Sequence, residues 1–547
     1  MSKIRIFALG GQNEIGKNMY VVEVNNNIYV FEAGLKFADD KLLGVDYIIP
    51  NYDYLKENQD RIKGIFITHG HDEQMGALCD ILVDIPNLNI YAGKFTLEII
   101  KQDLEESNIK DAKLIEVKPH KKIDFGEESI FPIQISHSLP DSYLFVLNTK
   151  DGAIVFTGNY LFDSSMQGTY STDIGKLAYI GKQNVLCLMN ESVYASNKGY
   201  TSPNHRASAM IREVISDNEG RILFDIFETQ IYRIQELFNE ISRTNRNVVI
   251  MGKSLENIVL KGIDLNYIHF NKDRIKTISH VNDEGIIVIV SNEREKAYSS
   301  IKRILRNSDK FITLKDTDTV VMLSPIYDGN EITATNIFNK ISKIGSQLVV
   351  LSKKVLSLHS SSEDIMLMIN LMKPKYYFPV TGEYRHQVEN AILAKNLNIS
   401  EDNILLNLNG EVATFIDGNL VSNSEKVEVD DILIDGKTVG DIGDLVLKDR
   451  EILSDSGIVI VNANVDKTTR NIINKVNIQT KGFIYVKDNI DIIKEAESIV
   501  TKVINENVKS NYIDYNKLKL NIRDKLGKYF YNETESKPMI IVVVQEV

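Results

Sequence analysis

The feature that most constrains this chain is a buried strand that runs straight into a His-x-His turn. Gly64, Ile65, Phe66, Ile67 and Thr68 are apolar and β-branched, and the apolar and small residues after Gln74 begin a helix. His69 and His71 therefore sit in a strand-to-helix turn, where two rings can converge on one ion. Two histidines at that spacing are weak evidence alone, but two more strand ends offer partners. One carries His137, in Ile135-Ser136-His137-Ser138-Leu139; the other is Phe156-Thr157-Gly158-Asn159-Tyr160. Three neutral imidazoles and one shared carboxylate at strand ends would make a zinc site with an open position, yet this last strand end offers only the amide Asn159.

Patterning divides the chain. From residue 1 to about 200, short β-rich runs alternate with glycine-containing turns and few helices, which predicts two stacked sheets with helices outside. From about 205 to 345 strands and helices alternate: strands over 221–226, 247–251 and 285–290, helices over 229–243 and 255–260. That is the signature of βαβ units on a parallel sheet. Sheet-rich patterning returns from 347 to about 440, with a helix over 363–372, and the tail from 455 reads strand, strand, helix, helix, strand. The expected boundaries are 1–204, 205–346, 347–445 and 446–547.

At 547 residues the chain is long enough for two to four domains. Charged residues make up 25% and hydrophobic ones 43%, the balance of a globular protein, with no apolar run long enough to span a membrane. No signal peptide is recognisable before the strand-like opening at Ile4, so a cytoplasmic location is expected. Cys79 and Cys187 then read as small buried residues rather than a disulfide. The net charge of −12 argues against indiscriminate phosphate binding without excluding a local groove. Lys118 to Lys122 and Lys302 to Arg306 are basic enough to line one, though a solvated face explains either run.

Gly11 to Asn18 nearly satisfies a phosphate-cradling loop. Asn18 stands where a magnesium-binding hydroxyl is needed, and a strand rather than a helix follows, so a hairpin connection is expected.

A further set of short motifs is collinear over nearly the whole chain. They are Leu9-Gly10-Gly11 to Asn18-Met19, Glu32-Ala33-Gly34-Leu35-Lys36-Phe37, Ser324-Pro325-Ile326 to Gly329-Asn330-Glu331, Pro379-Val380-Thr381-Gly382-Glu383, Val439-Gly440-Asp441-Ile442-Gly443 and Lys481-Gly482-Phe483. With the histidines above, they make the chain resemble the ribonuclease J family, metallo-β-lactamase-fold nucleases with an inserted β-CASP domain. The resemblance implies an α/β architecture: an αββα sandwich, an inserted parallel-sheet β-CASP domain and a small α+β C-terminal domain.

It also implies a ligand set. The first metal's histidines match His69, His71 and His137, and its bridging aspartate is Asn159 here. The second metal's ligands match Glu73, Gln74, Asn159 and Thr381, so that site has lost nearly everything; Glu73 retains a carboxylate one methylene too long. Glu32 replaces an aspartate beneath the ligand loop. Glu191 and His359 match an acidic residue and a phosphate-contacting histidine. Ser360 and Ser361 match a loop that receives an RNA 5′-monophosphate, or else they cap the helix that follows. His386 and His120 are expected at the surface.

The resemblance thus implies a catalytically degenerate paralogue. It would hold one zinc or manganese ion at partial occupancy, or none, bind RNA, and stabilise or steer an active ribonuclease J partner in a heteromer, or self-associate as a homodimer. The alternative is a genuine low-activity ribonuclease, exonucleolytic from a 5′ end or endonucleolytic.

Overall fold

The computed structural model describes all residues except 39–41, 293–297, 325, 327–330, 437, 440–443, 470, 485–488 and 509–513. Pro325, Gly329, Asn330 and Gly440 to Gly443 of the motifs above therefore lie outside the described residues. The chain divides into two compact units, one of Met1–Phe37 with Tyr47–Ile432 and one of Ala38–Asp46 with Leu433–Val547.

In the larger unit, β-branched and aromatic runs form two facing sheets. One has eight strands, ordered Asn419–Lys426, Glu411–Ile416, Lys3–Gly10, Met19–Val24, Asn27–Phe31, Ile62–Phe66, Asn89–Ala92 and Lys113–Glu116. The other has six, ordered Tyr376–Val380, Val185–Glu191, Gly152–Phe156, Tyr143–Thr149, Ser129–Gln134 and Ile123–Asp124. Aromatic side chains fill the space between them: Phe31 stacks on Phe156 at 5.2 Å and Phe66 on Tyr91 at 4.7 Å. Lys3–Gly10 and Met19–Val24 pair antiparallel, so Gly11 to Asn18 is the hairpin connection expected.

The inserted segment forms a six-stranded parallel sheet, ordered Ile275–Lys276, Val248–Met251, Ile287–Asn292, Ile222–Phe227, Thr319–Met322 and Gln347–Val350. Two hydrophobic clusters flank it, one led by Ile234, Leu237 and Phe238 and one by Ile301, Ile304 and Ile337. A sheet buried on both faces reads as near-continuous apolar strands, which is the pattern of Ile-Val-Ile-Val at 287–290.

After helix Asp444–Ser456, the smaller unit runs in the order strand, strand, helix, helix, strand. Its sheet runs Asn477–Lys481, Ile458–Val465, Met539–Glu546, and helices Ile490–Val508 and Tyr515–Thr534 cover one face. The apolar last strand finds its partner within the unit, pairing parallel with Ile458–Val465.

Three expectations need correction. Helices are not scarce before residue 200, since Lys94–Glu106 alone has 13 residues. Helix Tyr384–Asn396 falls where sheet-rich patterning was expected, because Tyr-Arg-His-Gln-Val-Glu-Asn carries too few apolar residues to print a helical stripe. His386, expected at the surface, is 8% exposed, its ring lying back over Gly382. Cys187 is buried and Cys79 half-buried, and both are free thiols.

His205 is a pH-sensitive point of this core. It is fully buried, and burial pushes its pKa down to about 4 even though Asp163 Oδ2 lies 3.3 Å from Nε2. The unfolded chain binds a proton at His205 near pH 6.5, so between that pH and 4 the unfolded state holds more protons and stability falls as pH falls. Going from pH 7 to pH 5 should cost about 2 kcal/mol through this residue. Urea unfolding at both pH values should show that loss shrinking in His205→Gln.

Candidate metal and phosphate site

All the candidate positions collect along one edge because of strand direction. Gly152–Phe156, Val185–Glu191 and Tyr376–Val380 are mutually parallel, so their C-terminal ends deliver Asn159, Glu191 and Thr381 side by side. Ser129–Gln134 runs the same way, two antiparallel steps along, and delivers His137. In the facing sheet, Ile62–Phe66 continues through Thr68, whose carbonyl accepts from Tyr143 N at 3.0 Å, and delivers His69 and His71. Gly158 makes this junction possible: a Cβ there would lie 2.8 Å from the Thr68 side chain, and its φ is +59°.

The turn that follows is held by its own backbone. The carbonyls of Asp72, Glu73 and Gln74 accept from Leu35 N (2.9 Å), Asn18 N (3.2 Å) and Ala33 N (2.6 Å). Gly34 permits the approach, since a Cβ there would fall 1.7 Å from the Glu73 carbonyl oxygen. These backbone hydrogen bonds hold the loop against the first sheet's connections.

The three histidines converge, with one ligand atom of each within 4.8 Å of the others. His69 Nδ1 faces Thr68 Oγ1 at 2.8 Å, and Thr68 Oγ1 lies 2.5 Å from Glu32 Oε1. His71 Nε2 faces the Thr229 carbonyl at 3.2 Å and Ser138 Oγ at 2.9 Å; His137 Nδ1 faces the Leu358 carbonyl at 2.8 Å. The carbonyls facing His71 and His137 can only accept, whereas the Thr68 hydroxyl facing His69 can accept or donate. For His71 and His137 the hydrogen bonds therefore place the proton on the outer nitrogen and the lone pair inward. His69 Nε2 and His71 Nδ1 are only 3.1 Å apart, a separation at which two lone pairs repel unless a proton or cation lies between them. His137 Nε2 is buried and has no hydrogen-bond partner among the described residues. Burial pushes His137 down to about 3, with His359 adding to the effect against the Leu358 hydrogen bond, so this ring stays neutral. The donor set fits one nitrogen-bound divalent cation.

Burial also pushes Glu32 up to about 8, opposed by the hydrogen bonds it accepts from Thr68. A carboxyl in that position orients His69 through a hydroxyl rather than directly.

The other positions form a different surface. Gln74 is 3% exposed and its Oε1 has no hydrogen-bond partner among the described residues; Asn159 is 4% exposed. Thr381 gives its N–H to the buried Tyr20 hydroxyl at 3.0 Å, and its own hydroxyl lies 3.2 Å from the same oxygen. Apart from Glu73, these groups are neutral amides and a hydroxyl, weak ligands for a second transition-metal cation.

Thr381 also has φ of +58°, a left-handed conformation that a β-branched residue adopts at a cost of about 1–3 kcal/mol. Asparagine tolerates that region and keeps an oxygen for Tyr20. Thr381→Asn should therefore raise the unfolding free energy by about 1 kcal/mol in urea titration.

Glu191 and His359 meet beside this cluster. Glu191 is 1% exposed; Oε2 lies 2.9 Å from His359 Nδ1, and Oε1 accepts from Tyr160 N (2.8 Å) and Ser360 N (3.0 Å). His359 thus gives its Nδ1 proton to Glu191 and keeps Nε2 for another partner, with its ring 5.9 Å from that of His137. Ser360 and Ser361 are fully buried. Ser360 Oγ lies 2.6 Å from the Tyr160 carbonyl and 2.8 Å from Glu191 Oε1. Ser361 caps helix Ser362–Met372 in a capping box with Asp364, and Thr201 Oγ1 lies 2.7 Å from Ser361 Oγ. Nothing local in the sequence pointed to Thr229, Tyr20 or Thr201 as members of this network, because each arrives from a distant strand or loop. His120 is exposed and lies 3.2 Å from Asp173, outside the cluster.

Among the described residues, no helix is long and apolar enough to cross a membrane. Three family models match the chain: the metallo-beta-lactamase superfamily over residues 13–175, the ribonuclease J beta-CASP domain over 219–341 and the ribonuclease J C-terminal domain over 445–547. Proteins named ribonuclease J 2 from Staphylococcus aureus and Staphylococcus epidermidis are each 33% identical to it over 551 residues, covering 100% of this chain and 98% of theirs. A crystal structure of a protein of unknown function from Enterococcus faecalis shares the fold, with a TM-score of 0.54 at 15% identity over 76% of this chain and 100% of that one. With three domain models matched in order and relatives aligned from end to end, the chain belongs to the ribonuclease J family.

Proposed function

We propose that this chain is an RNA-binding ribonuclease J-family subunit with a one-cation site and little hydrolysis of its own, which stabilises or steers an active paralogue. One observation carries the reading. His69, His71 and His137 bring three ring nitrogens within 4.8 Å of one another, while the neighbouring positions are Glu73, Gln74, Asn159 and Thr381. A divalent cation, zinc or manganese, held by the three histidines would supply positive charge and Lewis acidity against a phosphate oxygen. Asn159 brings no negative charge to hold a second cation close, and in-line displacement then lacks a clamp on its leaving oxygen.

The chain's own groups still suit an RNA backbone. With Nδ1–H held by Glu191, His359 turns Nε2 outward, where the doubly protonated ring donates to a phosphate oxygen. Ser360 and Ser361 serve the phosphate by holding this loop in place from beneath. The relatives' printed name supports RNA as the ligand.

Metal content of the purified native chain, measured by mass spectrometry, tests the reading together with digestion of a 5′-monophosphorylated RNA with and without added manganese. At most one metal per chain and negligible digestion are expected. Two metals with processive digestion would overturn the proposal in favour of a working nuclease.

A further inference from the structure

We infer that Tyr194 is a stacking platform for the nucleobase whose phosphate is held at His359, an inference that rests on the RNA-binding reading above. The juxtaposition that carries it is an uncommitted tyrosine ring next to the one histidine of the site that remains partly open. The side chain of His359 is 19% exposed, and the Tyr194 ring lies 5.5 Å from it at 67°. The His359 ring thus neighbours both the His137 ring, at 5.9 Å, and the Tyr194 ring, at 5.5 Å.

Tyr194 is not placed there by packing alone. The buried tyrosines of this chain bond through their hydroxyls, as Tyr20 does to Gly11 and Tyr377 to Asn390, or pack within the hydrophobic clusters, as Tyr160 and Tyr170 do. Tyr194 is half-buried, belongs to none of the hydrophobic clusters and makes no side-chain hydrogen bond among the described residues. Its backbone, by contrast, is fixed. Asn197 N donates to the Tyr194 carbonyl at 2.9 Å, Ser362 N donates to Asn197 O at 2.9 Å, and Tyr194 bridges to Ser361. The turn that carries the ring is thus tied to the loop that carries His359, and the two move as one piece. A rigid aromatic beside a phosphate-binding group binds a base through its π-face, with little preference among bases.

The test uses the full chain and a single-stranded, 5′-monophosphorylated ten-nucleotide RNA. Either 2-aminopurine or an abasic site is placed at each of the first four positions in turn. The native protein should quench 2-aminopurine at one position and bind the RNA with an abasic site at that position about tenfold more weakly, or about 1.4 kcal/mol. Tyr194→Ala should lose both the quenching and the base dependence. Its affinity for the abasic RNA and its thermal midpoint should stay at native values, which a merely structural role would not allow. Tyr194→Phe should keep the base dependence, and so should Tyr200→Ala, which removes an exposed tyrosine from the same stretch of chain. RNA binding with equal affinity for intact and abasic sites, or base dependence lost equally in Tyr200→Ala, would overturn the assignment while leaving the RNA-binding reading intact. No binding of any RNA by the native chain would overturn that reading and the inference with it.

Discussion

Glu73→Asp, Gln74→His, Asn159→Asp and Thr381→His made together should raise hydrolysis of a 5′-monophosphorylated RNA by about 10²–10³-fold, the scale that one preorganised electrostatic contact contributes to a transition state. The bound metal should rise from at most one to two per chain, while each single change leaves the rate near its native level. Cooperativity is expected because the second cation needs all its ligands at once, and the Asn159→Asp charge stabilises two cations only when both are present. The scaffold is ready for the exchange. The Asp72 to Gln74 backbone is fixed by Leu35, Asn18 and Ala33, and Thr381 already sits at φ +58°, a region in which histidine is less strained than threonine. Single-turnover kinetics with metal analysis would check this. A native chain that already cleaves as fast as the fourfold variant would sink the degenerate-site argument.

Glu191→Ala should cost about 3 kcal/mol of stability, because it removes a buried carboxylate and strands the donors that point at it. Tyr160 N, Ser360 N and His359 Nδ1 all lie within 3.0 Å of Glu191 oxygens that are 1% exposed. The loss should appear as a lower urea midpoint, and RNA affinity should fall with it, since His359 is no longer held with Nε2 outward. Glu191→Gln can keep an oxygen for the two backbone amides, and its NH2 donor then faces the His359 Nδ1–H. It should fall between native and alanine in stability while weakening RNA binding nearly as much. Native stability in Glu191→Ala would show that water replaces the carboxylate and that the loop does not depend on it.

The sequence marked the residues with distinctive chemistry. His69, His71 and His137 were legible because each follows an apolar run that can only be a buried strand, and the ends of such strands are where convergent ligands come from. The losses at Glu73, Gln74, Asn159 and Thr381 were legible only through the resemblance, since no spacing rule says that an amide stands where a carboxylate belongs. Alternation of strands and helices exposed the inserted parallel sheet. Helix Tyr384–Asn396 was hidden because its first turns are polar, and His386 was misplaced for the same reason.

Tertiary structure alone decided which nitrogen of each histidine faces inward. That choice is made by the Thr68 hydroxyl and by the carbonyls of Thr229 and Leu358, the latter two more than 150 residues from the rings they orient. It also decided that Ser360 and Ser361 point inward and that Tyr194 stays uncommitted beside His359. Hydrophobic periodicity fixes which elements form, because apolar area is a local property of the chain. Proton placement and side-chain commitment depend on acceptors that distant segments bring within about 3 Å, and only the folded chain supplies them.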